Sequence, residues 1–145
     1  MDKKPLIIRS LATISPLGAS RAEVADSLRR SRPNPTQVGD RAVFKLSESG
    51  EAALLSELDG THKQSLDRAV RLAVAAAKLT VQSLPASADV QCVSIGSARG
   101  ATGSLESTIL QHREGETPLS PDTSPNTTAG GITSWVAQDL MQAGL

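Results

Sequence analysis

The stretch Val90–Leu110, VQCVSIGSARGATGSLESTIL, decides the fold. Its apolar residues over 90–95 predict a short strand. Three glycines separated by small residues follow, Gly96, Gly100 and Gly103, and a helix is predicted from Gly103 onward. In α/β proteins an apolar strand that runs into glycines and then a helix forms a binding edge at the carboxyl end of a sheet. We therefore expect an α/β fold whose functional edge is this glycine loop.

On both sides of this stretch the chain alternates between strand and helix patterns. The order is β-α-β-α-α-β-α-loop-α, an α/β pattern that lacks the final strands of a closed sheet. Ser15–Gly18 predicts a turn, because proline and glycine close it. The other predicted elements are strands at 6–14 and 41–46, helices at 20–30, 49–58, 65–84, 103–112 and 129–142, and loops at 31–39 and 113–125.

The predicted helix at 65–84 carries the strongest helical pattern. Its apolar residues cover most of the circumference, which indicates a helix buried on both faces, in a layer between two sheets. In the last helix, Ile132, Val136 and Leu140 fall four apart on one face. Near the amino terminus, Ser20 and Glu23 have the spacing of a capping box.

Composition excludes several classes of function. The 145 residues have a formal net charge of zero and contain one phenylalanine, one tryptophan and no tyrosine. Without a basic face or aromatic residues beside basic ones, we expect no nucleic-acid binding. One cysteine excludes an internal disulfide and fits a cytoplasmic protein. No apolar run approaches the roughly 18–20 residues that a membrane span needs.

The glycine loop and its Arg99 each allow two interpretations. A glycine loop before a helix can let an anion bind to the free backbone amides at the helix start. The spacing of Gly96, Gly100 and Gly103, however, is not the dinucleotide-binding pattern. Close approach of backbone or substrate is the favoured interpretation of the glycines. Arg99 could bind a carboxylate or phosphate, although solvent or a salt bridge is favoured.

The remaining residues with potentially catalytic side chains predict no active site. Cys92 stands alone in a predicted strand, where a buried inert thiol is favoured over a nucleophile. His62 and His112 lack ligand spacing, so solvent exposure is expected for both. The serines Ser97, Ser104 and Ser107 lack a nucleophile-elbow pattern, and Glu114 and Glu116 are expected to be solvated.

Four stretches in order resemble the amino-terminal half of a β-ketoacyl-acyl-carrier-protein synthase, a condensing enzyme of fatty-acid and polyketide synthesis. The resemblance covers most of the chain and is weakest over 32–60. The glycine loop, together with Thr127–Thr128 and residues 135–138, looks closer to the branch of the family associated with aryl-polyene-type pigments. The four stretches are Leu6–Gly18, Asp67–Leu84, Val93–Glu106 and Ser120–Gly144.

This resemblance implies a thiolase-like fold with two similar halves in α-β-α-β-α layers, of which residues 1–145 would be an incomplete amino-terminal domain. It implies a dimer, acyl and malonyl thioesters on an acyl carrier protein as substrates, and no cofactor. In the family a cysteine takes up the acyl chain and two histidines promote decarboxylation of the malonyl unit. We expect that cysteine beyond residue 145 and the histidines in the second half, so this chain alone would be inactive.

The resemblance also implies a modest set of site residues. Leu105 matches a position that contributes an acyl-pocket or gating side chain, with Gly103, Ser104 and Arg99 beside it. Arg99 stands where the family more often has a small or apolar residue. Thr123 lies in the segment that reaches toward the pocket of the dimer partner.

Two alternatives to this ketosynthase hypothesis stay open. The chain could be a complete, non-catalytic subunit that pairs with a ketosynthase, as a chain-length factor does. It could also be an unrelated α/β module that binds an anionic ligand at the glycine loop.

Overall fold

The computed structural model describes residues 7–30, 35–58, 66–85, 88–113, 115, 118, 121, 123–128 and 130–142. Over these residues the protein combines helices with a two-stranded sheet, which is loosely compatible with the α/β expectation. The elements are α1 (Arg21–Arg30), β1 (Thr36–Val38), β2 (Arg41–Val43), α2 (Glu48–Ser56), α3 (Arg68–Gln82), α4 (Thr102–Arg113), α5 (Thr123–Thr127) and α6 (Gly131–Gln142).

The core forms where α6 and α2 pack against α3. The predicted apolar face of α6 is confirmed, since Ile132, Val136 and Leu140 are all buried. Burial of apolar surface is the main favourable term in folding, so this contact stabilises the arrangement of the helices. The buried apolar residues are Leu54, Leu58, Leu66, Val70, Val74, Ala75, Ala101, Ile132, Val136 and Leu140.

Helix α3 is the central element, as its pattern predicts. Only its two end residues, Arg68 and Gln82, are exposed, and every residue between them is buried or half-buried. Side chains also join the ends of α3 to α2: Arg68 pairs with Glu51, and the Lys78 ammonium donates to the Glu57 carbonyl at 2.9 Å. Among the described residues the only sheet is the two-stranded antiparallel hairpin β1–β2, so α3 does not lie between two sheets there as expected.

The capping box at the start of α1 is confirmed. Ser20 Oγ accepts from the Glu23 amide at 3.2 Å, and Glu23 Oε2 accepts from the Ser20 amide at 3.2 Å. The preceding turn is closed by two backbone hydrogen bonds between Ser15 and Gly18. Gly18 has φ +141°, and a Cβ there would lie 2.5 Å from Glu23 Cβ, so this position requires glycine.

The β1–β2 hairpin corrects the prediction of a loop over 31–39. Thr36 pairs with Val43 and Val38 with Arg41, so β1 lies inside the predicted loop and β2 occupies only half of the predicted strand at 41–46. Gly39, at φ +62°, supplies the left-handed conformation that a tight two-residue hairpin needs. This turn was not predicted because Pro33 and Pro35 indicate a continuous loop through the segment.

The predicted strands at 6–14 and 90–95 are both wrong for the described residues. Neither segment has regular secondary structure, because a strand requires a hydrogen-bonding neighbour and these residues find none. Apolar residues of the first segment are consequently exposed: Ile7 by 71%, Ile8 by 80% and Leu11 by 81%. Ser10 anchors that segment to α3, since its Oγ donates to the Thr80 carbonyl at 2.7 Å.

Candidate functional site

The glycine loop is a self-bonded turn between the segment at 90–95 and α4. Ser97 Oγ accepts from the Gly100 amide at 2.9 Å, and Thr102 Oγ1 donates to the Arg99 carbonyl at 2.6 Å. Gly100 has φ +64°, which favours glycine. Ala101 is buried in the core, so the loop is fixed at the point where α4 begins.

A pocket of about 380 Å³ lies beside this loop. Its volume falls within the range of about 300–1,000 Å³ that is usual for small-molecule sites. The loop forms one wall, while α5 and α6 contribute Thr127 and Ile132. The lining residues are Ile95, Ser97, Ala98, Arg99, Gly100, Thr127 and Ile132.

Arg99 lies at this pocket with its charged group largely in solvent. Its side chain is 78% exposed, and a guanidinium nitrogen is 3.9 Å from Glu106 Oε1. This agrees with the favoured expectation of solvent or a salt bridge. An ion pair so exposed contributes little to stability, because water screens it.

The first turn of α4 holds the other predicted pocket residues. Leu105 is 39% exposed and is not among the residues that line the pocket. The Ser104 amide donates to Asp67 Oδ2 at 2.8 Å, and a Cβ at Gly103 would lie 3.1 Å from the same oxygen. A carboxylate therefore already occupies this helix start and opposes a bound anion, which argues against the phosphate-cradle interpretation.

Thr123 opens α5, one turn before a residue that lines the pocket. Its carbonyl accepts from Thr127 Oγ1 at 2.7 Å. The structure thus brings Arg99 and Thr127 of α5 to one pocket, although they lie far apart in sequence. Leu105 and Ser104 lie on the helix that follows the loop.

Three contributions to this site were not predicted from the sequence. Asp67 is the N-cap of α3, and an aspartate just before a helical pattern is the signal that could have identified it. The predicted helix began at residue 65, two residues before Asp67, so this cap was not predicted. Thr127 and Asn126 fall between the predicted loop at 113–125 and the predicted helix at 129–142. In the structure both belong to α5, and Asn126 Oδ1 accepts from Trp135 Nε1 at 3.2 Å.

The expected burial of Cys92 is wrong. The thiol is exposed, because the segment that carries it pairs with no other strand among the described residues. His112 is exposed near the end of α4, as expected, whereas His62 lies outside the described residues. Among the described residues, no hydrogen bond joins the Cys92 thiol to His112, a contact that would pair a nucleophile with its base.

The described part of the chain holds no group of three or more His, Cys, Asp or Glu side chains that could bind a metal ion. Within the same residues, no helix combines the length and apolar character of a membrane span. No known protein family and no curated protein matches this sequence. Function is therefore inferred from the sequence pattern and the geometry of the pocket.

Proposed function

We propose that this chain is the amino-terminal part of a β-ketoacyl-acyl-carrier-protein synthase. The observation that carries the proposal is the pocket beside the glycine loop. Two stretches that resemble the family, Val93–Glu106 and Ser120–Gly144, lie apart in sequence and contribute to one pocket. A third, Asp67–Leu84, supplies the central helix α3, against which α6 packs.

The thiolase-like layering belongs to the same proposal. The segments at 7–14 and 88–97 contact α3 or the core but pair with no strand among the described residues. Strands contributed by the second half of the enzyme would complete a sheet along them. Such pairing would also cover Ile7, Ile8 and Leu11, whose exposure is otherwise costly in water.

In the proposed enzyme, this chain would shape the acyl site and the second half would supply the reacting groups. A cysteine thiolate attacks the acyl thioester and releases the carrier thiol. Loss of CO₂ from malonyl-carrier protein generates a carbanion, which attacks the acyl-enzyme and releases the cysteine thiolate with formation of a β-ketoacyl thioester. The glycine loop, with Arg99, Leu105, Gly103 and Ser104 near it, would contact or position the acyl chain.

The proposed assembly is a dimer in the cytoplasm that works with an acyl carrier protein. Thr123, at the start of α5, would lie toward the partner subunit. The exposed apolar residues Ile7, Ile8 and Leu11 also favour a second candidate, a non-catalytic subunit that pairs with a ketosynthase, because that subunit too would cover them.

The test is an assay of the whole gene product that contains these residues. It is incubated with acyl-loaded and malonyl-loaded carrier protein, and CO₂, the acyl-enzyme and the β-ketoacyl product are measured. Condensation supports the ketosynthase. A gene product that neither takes up an acyl group nor condenses, alone or mixed with a ketosynthase subunit, overturns both candidates. Activity only in the mixture, with acylation confined to the other subunit, selects the non-catalytic candidate.

A further inference from the structure

One carboxylate joins the starts of two helices. Asp67 Oδ1 accepts from the Ala69 amide of α3 at 2.8 Å, and Asp67 Oδ2 accepts from the Ser104 amide of α4 at 2.8 Å. The second contact spans 37 residues of sequence. Asp67 thus caps its own helix and, at the same time, a distant one.

Both amides lie in the first turn of their helices, where backbone N–H groups lack partners within the helix. A carboxylate satisfies such groups and interacts favourably with the positive end of each helix dipole. The two helix starts are therefore coupled, because moving α4 relative to α3 breaks one of the hydrogen bonds.

The contact between Asp67 and the start of α4, here called the junction, is closely packed, whereas the glycine loop that precedes α4 has open space around it. A Cβ at Gly103 would lie 3.1 Å from Asp67 Oδ2, closer than ordinary van der Waals contact. Ala101, two residues earlier, is 2% exposed. By contrast, a Cβ at Gly96 or Gly100 would have nothing within 4 Å. The loop is thus held at its α4 end and has free space at its other glycines.

From this geometry we propose that Asp67 is a positioning residue that sets the location of the glycine loop, and with it the shape of the 380 Å³ pocket. Its consequence for catalysis rests on the proposed function, while the structural coupling rests on the two hydrogen bonds alone. Asp67 has two acceptor oxygens for two amides. Asparagine replaces one of these oxygens with an NH₂ group, which only donates, so one of these two hydrogen bonds is lost and the other is no longer made to a charged group.

The coupling is tested by amide hydrogen exchange in the 145-residue chain. In D67N, we expect the Ser104 amide to exchange about 10- to 100-fold faster, because a hydrogen bond to a charged group is lost. The matched control is D40N, an exposed aspartate in the β1–β2 turn, which should leave Ser104 unchanged. An unchanged Ser104 rate in folded D67N overturns the proposal.

A second variant changes the α4 side of the same contact, at Gly103, and does not depend on the folding of D67N. G103A places a methyl group against Asp67 Oδ2, while alanine itself favours the helix. We expect faster exchange at Ser104 in G103A, and no further increase when G103A is added to D67N. Fully additive effects of the two substitutions would show independent sites and contradict the coupling.

The catalytic consequence is tested in the whole enzyme by the ratio of kcat/KM for two acyl donors that differ by one two-carbon unit. A displaced pocket wall should reduce this discrimination about tenfold in D67N. Loss of folded enzyme alone would lower both rates equally and leave the ratio unchanged, and an unchanged ratio overturns the positioning role. If the wild-type gene product does not condense, the proposed function fails, and the exchange experiment still decides the coupling.

Discussion

Ser49 Oγ donates a hydrogen bond to Glu23 Oε2 at 3.0 Å and so joins α2 to α1 across 26 residues of sequence. The same oxygen accepts from the Ala19 and Ser20 amides, at 2.8 and 3.2 Å. These bonds lower the pKa of Glu23 below its usual value of 4.5, the Ala19 amide contributing most, then Ser49. One carboxylate of α1 thus binds the two residues that precede this helix and the first turn of α2.

The lowered pKa of Glu23 predicts a pH-dependent contribution to stability. The contribution is present above the pKa of the unfolded chain and is lost as pH falls through the lower pKa of the folded state. We expect E23Q to melt at a lower temperature than wild type at pH 7. The difference should shrink as the pH falls below about 4.5. Thermal melts from pH 3 to 7 measure it.

The control for Glu23 is E48Q, which removes an exposed carboxylate at the start of α2. Its melting temperature should differ less from wild type than that of E23Q. A difference between E23Q and wild type that stays constant through pH 3 would contradict the assigned role of the carboxylate.

Gly18 should tolerate alanine much less well than Gly39. Both have positive φ, at +141° and +62°, but only at Gly18 would the new Cβ collide, 2.5 Å from Glu23 Cβ. We expect G18A to lower the free energy of unfolding by about 2–4 kcal/mol, from strain and crowding together. G39A should cost about 1–2 kcal/mol, from backbone conformation alone. Urea denaturation of both variants measures the difference, and equal losses would refute the predicted collision.

Leu54 and Leu55 are neighbours in α2 with opposite environments. Leu54 is 2% exposed and packs in the core, whereas Leu55 is 69% exposed. Leu54→Ala should lower the free energy of unfolding by about 2–5 kcal/mol, because it leaves a cavity. Leu55→Ala should change it by less than about 0.5 kcal/mol. If chemical denaturation shows the larger loss at Leu55, the orientation of α2 is wrong.

Cys92 should react readily with a thiol reagent in the folded chain. It is exposed, and it is the sole cysteine, so the absorbance change reports this site alone. We expect its rate to lie within about tenfold of the rate in 6 M guanidinium chloride, since access is one of the controls on thiol reactivity. Modification that requires global unfolding would show instead that the segment at 90–95 is covered.

Helices were predictable here because their signals are local. The Ser20–Glu23 capping box lies within one turn, and the apolar face of α6 repeats every four residues. Both features are independent of distant parts of the chain, so the helices at 20–30, 49–58 and 129–142 were placed within about two residues of α1, α2 and α6.

Strands and the site were less predictable because their partners are distant in sequence. An apolar run such as 90–95 indicates which side chains a strand could bury, but hydrogen bonds to a neighbouring strand decide whether the strand forms. Ser97, Gly100 and Arg99 were noted as a loop. That Thr127 and Ile132 meet this loop at one pocket depends on how α5 and α6 pack, which no local pattern contains.

The sequence by itself determined where α1, α2, α3, α4 and α6 form, and that α3 is central, because capping and apolar periodicity act over a few residues; α5 lay outside the predicted helices. Only the tertiary structure decided that Cys92 is exposed, that β1 pairs with β2, and that Asp67 reaches Ser104. The physical reason is that burial and hydrogen bonding between distant residues depend on which segments pack together in the folded chain. Residue type alone does not specify which segments pack together.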